Sequence, residues 1–271
     1  MIRRAAFAVV AALALAAQAA PVAFVADLKG NATIEGDGNV SFLAELSPGT
    51  RLLLGTNATV AVTYAATGAE FTLVGPGEFL VAPAEIRAEK GLAPTRRTVA
   101  VLPDPSVVAR VSRTATASLR MRGIGEEKNK ASLEFPVDTR VATLQPTLRW
   151  KNAARADKVT VSVTDASGKE VWKADAAPES ARTGVKLAPA TIYKWTVMTP
   201  NGPIGEASFE TLPAPALAKV ARSRAEAKSF SNRVVFAFLL HDLGATQEAR
   251  ETWAALARER PDLPELAAFA K

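Results

Sequence analysis

From Val22 to Gly91 the apolar residues fall in short runs that alternate with polar ones, and Gly, Asn and Asp separate the runs. Period-two alternation is the mark of a strand with one buried face. It predicts strands over Ala23–Leu28, Thr33–Glu35, Arg51–Leu54, Thr59–Tyr64, Glu70–Val74 and Glu78–Val81, with turns at Gly30-Asn31 and Gly36–Asn39. Short strands at close spacing, uninterrupted by a helical period, predict a β-roll or sandwich rather than a parallel sheet. Residues 92–134 form a β extension and linker, with strands expected at Thr98–Leu102, Val107–Val111 and Thr116–Met121; whether they belong to the first domain stays open. Alternation returns in Leu148–Trp150, Val159–Val163, Glu170–Trp172, Ile192–Val197 and Ala207–Thr211. About 80 residues of such strands suit a two-sheet sandwich, with Trp150, Trp172 and Trp195 as core or half-buried plugs.

After Pro213-Ala214-Pro215 the period becomes helical. A helix is expected over Ala216–Lys228, then one over Asn232–Leu243 with Ser231 as N-cap and Gly244 just past its end. Thr246 is the expected cap of a third helix, which runs through Glu259 and stops before Pro261. The last two make an antiparallel hairpin. The fold class is therefore mainly β with a C-terminal α-helical part. Its segments are 20–91, 92–134, 135–213 and 214–271.

The N-terminus changes the picture of where the chain works. Arg3-Arg4 precedes an apolar run from Ala5 to Ala17, and Ala17-Gln18-Ala19 has the small-x-small form of a signal-peptidase site. This order predicts a signal peptide, residues 1–19, and a periplasmic chain. The alternative is a membrane-tethered chain with that segment uncleaved, although the run is short of the roughly 20 residues a spanning helix needs. Export argues against nucleic acid or ATP as partners. The chain has no Cys, which removes disulfides, thiolate chemistry and acyl anchoring. Loss of Arg3 and Arg4 lowers the formal charge from +6 to +4. Ten Lys/Arg stand against four Asp/Glu from Arg87 to Lys130, which makes Arg96, Arg97, Arg110, Arg113, Arg120 and Arg122 candidates for an anionic envelope polymer such as peptidoglycan or lipopolysaccharide.

Three resemblances follow from particular residues. Val25–Gly30, Leu46-Ser47-Pro48-Gly49, Leu54-Gly55-Thr56, Ala58–Tyr64 and Leu73–Gly77 resemble a FecR-type extracytoplasmic β domain. That likeness implies an accessory role in envelope signalling or transport. A direct anti-sigma role is not expected, because only Met1–Arg4 precede the apolar run. Pro146–Trp150, Gly168–Trp172 and Tyr193–Val197 resemble a fibronectin type III or other immunoglobulin-like domain, which implies fold only. Ala237, Gly244, Ala249, Trp253, Leu256 and Pro261 are spaced like one tetratricopeptide repeat, with Leu256 where a small residue is usual. This implies protein binding, with Phe236, Leu240 and Trp253 as candidate partner-docking residues and an exposed apolar patch around Phe236 and Leu240.

Candidate chemistry is sparse. His241 is the single His, without further ligands or a nucleophile at useful spacing, and reads as a helix-end residue near the C-terminal dipole. Gly36-Asp37-Gly38 lacks the repeated carboxylates of a calcium loop and the Lys of a phosphate loop. Glu126-Glu127 is a solvated pair. The expectation is a non-catalytic envelope scaffold that acts through protein–protein contact, with no cofactor and no metal.

Overall fold

A computed structural model describes residues 20–98, 131–151, 159–176, 179–200 and 202–270. The expected signal peptide, Arg110, Arg113, Arg120, Arg122 and Glu126-Glu127 lie outside the described residues. So do the strands expected between residues 98 and 121, apart from Thr98 itself. The described chain is mainly β, with helices confined to its C-terminal part.

Ten strands build the first β unit: β1 (Ala23–Lys29), β2 (Ala32–Ile34), β3 (Gly38–Asn39), β4 (Glu45–Leu46), β5 (Arg51–Leu54), β6 (Thr59–Tyr64), β7 (Ala69–Val74), β8 (Gly77–Val81), β9 (Ile86–Lys90) and β10 (Thr95–Thr98). They form two antiparallel five-stranded sheets, in the orders β10-β7-β6-β1-β4 and β3-β2-β5-β8-β9. Val25, Leu46, Leu52, Val62, Leu73 and Phe79 fill the space between them. The 54–56 and 75–77 turns touch so closely that only glycine fits. A Cβ on Gly75 would sit 2.1 Å from the Gly55 carbonyl oxygen. Strand β1 departs from simple alternation, and Ala23 to Ala26 are all buried. Ala23 and Val25 face the sandwich core, whereas Phe24 and Ala26 face the C-terminal helices. A strand covered on both faces reads as a continuous apolar run.

The second β unit is a two-sheet β-sandwich. Strands β11 (Ser132–Phe135), β13 (Thr147–Lys151) and β16 (Ser180–Arg182) make one sheet. The other has the order β12-β18-β17-β14-β15, from β12 (Thr139–Val141), β14 (Val159–Asp165), β15 (Glu170–Ala176), β17 (Ile192–Thr199) and β18 (Gly202–Thr211). The chain changes sheets between β11 and β12, and β12 then runs parallel to β18. Trp150 and Trp195 are both buried, with ring centres 6.5 Å apart. Trp195 donates its indole N–H to the Pro136 carbonyl at 2.7 Å. Trp172 is half-buried. The turn after β14 is held by Asp165, whose carboxylate accepts from the Ser167 and Lys169 backbone N–H groups and from the Ser167 hydroxyl.

Among the described residues four helices follow the sandwich: α1 (Ala214–Glu226), α2 (Phe230–Asp242), α3 (Thr246–Glu259) and the short α4 (Leu266–Phe269). Helix α2 is apolar almost all round, and nine of its 13 residues are buried. Such a helix needs cover on every side. It lies among α1, α3 and the outer face of β1. Trp253 of α3 packs edge-on against Phe238 of α2 at 5.1 Å and stacks on Phe269 of α4 at 4.8 Å.

Two expected caps are corrected. Ser229, not Ser231, caps α2, accepting from the Asn232 N–H. The chain from Lys228 turns earlier than the polar pattern suggests, which frees Ser231 to bond a distant carboxylate. Thr246 is the first residue of α3, and the N-cap position is Ala245. Gly244 does occupy a left-handed position, φ 79°, just past the end of α2.

Candidate functional site

The helices join the two β units, and the side chains that make the junctions come from both. Toward the first unit the contact is largely apolar. Phe238 meets Phe24 of β1 at 6.0 Å, and Phe230 meets Phe42 at 6.1 Å. Two charged groups complete it. Arg260, with a side chain only 10% exposed, donates to Asp27 at 2.5 Å and to Asp262, and lies over the Phe230 ring. Those carboxylates push its pKa still higher, so it is a permanent cation. A bulge in β1 between Val25 and Asp27 puts Asp27 in reach.

The second charged group is Glu70 of β7, whose side chain is 1% exposed. It accepts from Arg97 Nε at 2.7 Å and from the Ser231 hydroxyl at 3.2 Å. Arg97 also donates to the hydroxyls of Ser229 and Ser231, at 2.8 Å each. A buried carboxylate needs this many donors, and the N-terminus of α2 adds a favourable dipole.

Toward the second unit an apolar cluster, in which Phe236, Leu240, Ala245 and Ala249 meet Ala142 and Leu212, is joined by polar contacts from the sequence Thr246-Gln247-Glu248. Gln247 accepts from the Val137 N–H at 2.8 Å and donates to the Glu134 carbonyl at 2.9 Å, bridging the point where the chain changes sheets. Glu248 accepts from the Ala142 N–H at 2.7 Å. Burial pushes its carboxyl above the usual range, and the Ala142 N–H and Arg224 oppose that. Thr246 and Thr139 share a hydroxyl–hydroxyl bond, and Arg149 pairs with Glu251. The sequence-derived expectations did not place Asp27, Glu70 or Gln247 at a junction. Only the unusual Asp27 inside an apolar strand was a visible signal.

The expectation of an exposed patch around Phe236 and Leu240 is corrected. Both are buried against Val220 of α1 and against Ala142 and Leu212 from the second β unit. Trp253 is buried with Phe24, Phe238 and Phe269. These three residues are brought to one side of the fold but serve as internal packing. Of the two described arginine candidates, Arg97 is committed to Glu70, and Arg96 lies exposed beside it on edge strand β10. His241 ends α2, half-buried, and burial with the nearby Arg250 lowers its pKa. Burial therefore outweighs the helix dipole, which alone would raise it.

One surface open to a partner is the outer face of β17 and its surroundings. Ile192 is 56% exposed and Met198 47% exposed, with the Lys194–Glu206 pair between their neighbours. A groove of about 420 Å³ runs from Ile192 past Ser208, Glu210 and Arg140 to Gly244 and Thr246. Its walls come from the sandwich and from the α2–α3 turn together. Among the described residues no helix is long and apolar enough to cross a membrane.

The fold is thus two β units with a helical clamp across them. No protein-family model matches the chain, and no curated protein does. Among solved structures, CopC from Methylosinus trichosporium OB3b aligns over 31% of this chain and 95% of its own, at 19% identity and TM-score 0.25. A two-domain fibronectin type III segment of chicken tenascin aligns over 71% of this chain and 84% of its own, at 13% identity and TM-score 0.21.

Proposed function

We propose that this protein is a non-catalytic binding scaffold of the bacterial cell envelope that acts through protein–protein contact. One observation carries the reading. The groove beside Ile192 is a composite, walled by the sandwich and by the α2–α3 turn. The large apolar side chains of the clamp, Phe236, Leu240 and Trp253 among them, are buried, and the described large apolar side chains that stay exposed lie in the β part of the chain. The exposed Ile192 and Met198 supply the apolar contacts that such a face needs, and Arg140, paired with Glu210 at 2.9 Å, supplies a polar rim. The leader-like Met1–Ala20 pattern supports export, and the FecR-type likeness of residues 25–77 supports an envelope setting.

The test is affinity purification from an envelope fraction with the wild-type chain, with Ile192→Asp and Met198→Asp, and with residues 214–271 deleted. The expected result is one or more partners captured by the wild type and lost with both the surface substitutions and the deletion. Identical capture by all forms contradicts the reading.

A further inference from the structure

Helix α1 carries more positive charge than its packing uses: Arg224 lies over the Phe236 ring of α2 and acts on Glu248, whereas Arg222 and Lys228 are exposed. Its buried side is Val220 and Ser223. On the opposite side Ala218, Ala221, Arg222 and Ala225 are exposed, as are Arg224 and Lys228. At 100° per residue, Lys219 and Arg222 fall along one flank of the exposed face and Arg224 along the other, with Lys228 just past the C-cap. Between Pro213 and Ser229 there are four Lys/Arg against the single Glu226. The helix dipole accounts for a cation in the last turn, which Arg224 supplies, but not for the three others.

The basic surface does not end with the helix. Lys228 precedes Ser229, whose hydroxyl takes a 2.8 Å bond from Arg97, and Arg97 stands next to the exposed Arg96 on β10. Residues about 130 positions apart thus make one surface. Glu70 lies beneath it, 1% exposed, and already neutralised by Arg97. We propose that the exposed face of α1, continued past Ser229 and the Arg97–Glu70 pair to the exposed Arg96, binds an extended anionic polymer bearing repeated phosphate or carboxylate groups.

The chemistry favours a polymer over a folded acidic protein. The cations from Lys219 to Lys228 are spread over about 14 Å along the helix axis, with Ala218, Ala221 and Ala225 exposed between the flanks and Glu226 on the flank of Lys219 and Arg222. That face offers no aromatic or large apolar anchor of the kind that carries protein–protein affinity. A row of point charges on a low surface suits a ligand whose charges also come in a row, held by displaced counterions rather than by shape.

The test uses the full chain and two probes, inorganic polyphosphate and polygalacturonate, which separate phosphate from carboxylate recognition. Binding is measured across a salt series for the wild type, for Lys219→Gln/Arg222→Gln/Lys228→Gln, and for Lys169→Gln/Lys173→Gln/Lys194→Gln on the second β unit. Both triple variants change the formal charge by the same amount and alter no buried residue, and thermal melts check that both fold. The expected result is salt-sensitive binding of at least one polymer, with the slope of log affinity against log salt flattened by about 2 in the α1 variant and unchanged in the control. Equal loss in both variants overturns the proposal, because net charge alone then explains it. Retention of neither polymer at low salt also overturns it, as does capture of a folded acidic protein alone.

Discussion

The two junctions of the helical clamp are built from different materials. On the first β unit the helices share a core with the sheet, where Phe24, Phe42, Phe230, Phe238 and Trp253 form a continuous apolar cluster. On the second, a smaller apolar cluster of Phe236, Leu240, Ala245 and Ala249 against Ala142 and Leu212 is joined by hydrogen bonds between Gln247, Glu248 and Thr246 and the chain around Glu134–Ala142. Apolar burial is additive over area and insensitive to small displacements, whereas a side-chain-to-backbone bond is short-ranged and lost on a shift of an ångström. The first junction is therefore part of the fold. The second adds directional bonds to a smaller apolar cluster, and those bonds set its position.

The largest expected effect comes from breaking the shared core. Trp253→Ala removes a side chain with 0% exposure that touches Phe238 and Phe269. A truncation of this kind costs about 3–5 kcal/mol. The thermal midpoint should fall by many degrees, and part of the helical circular-dichroism signal should vanish ahead of the β signal. Unchanged stability would mean that the helices do not depend on the cluster.

A smaller effect, of about 1 kcal/mol, is expected for Gln247→Ala, which removes two bonds to backbone groups. Its location matters more than its size. Hydrogen exchange should accelerate at Val137 and Ala142 and stay unchanged in β1. Acceleration in both places would show the two junctions to be one cooperative unit.

The smallest effect tests the sign of the Glu248 contribution. Its pKa in the folded chain is raised above the ordinary value of 4.5, chiefly by burial. The folded state then holds its proton at a pH where the unfolded chain has released it. The contribution to stability is full below the unfolded value and is lost as pH rises through the folded one. Glu248→Gln cannot ionise and keeps an acceptor for the Ala142 N–H. It should melt above the wild type at pH 7 and level with it at pH 3.5, and a lower melting point at pH 7 would reverse the assigned sign.

The sequence was legible where structure is local. The alternation of Thr59–Tyr64, Val159–Val163 and Ile192–Val197 matches β6, β14 and β17, and Gly244 ends α2 as its position implies. Short edge strands such as β3, β4, β12 and β16 were missed, because two or three residues carry no period. Phe236, Leu240 and Trp253 were visible as apolar residues at helical spacing, but spacing cannot tell a partner's surface from a neighbour in the same chain. The same limit hid Asp27 and Arg260, which meet across 233 positions. It also hid the commitment of Arg97 to Glu70, since a charge count weighs every arginine alike.

The central claim is that the helices hold both β units in one arrangement, and the chain's lack of Cys makes it directly measurable. Spin labels on cysteines introduced at the exposed Thr56 and Lys173 report the distance between the units. The account predicts a single narrow distribution that broadens when Trp253→Ala is added. A distribution already broad in the otherwise wild-type chain would contradict it.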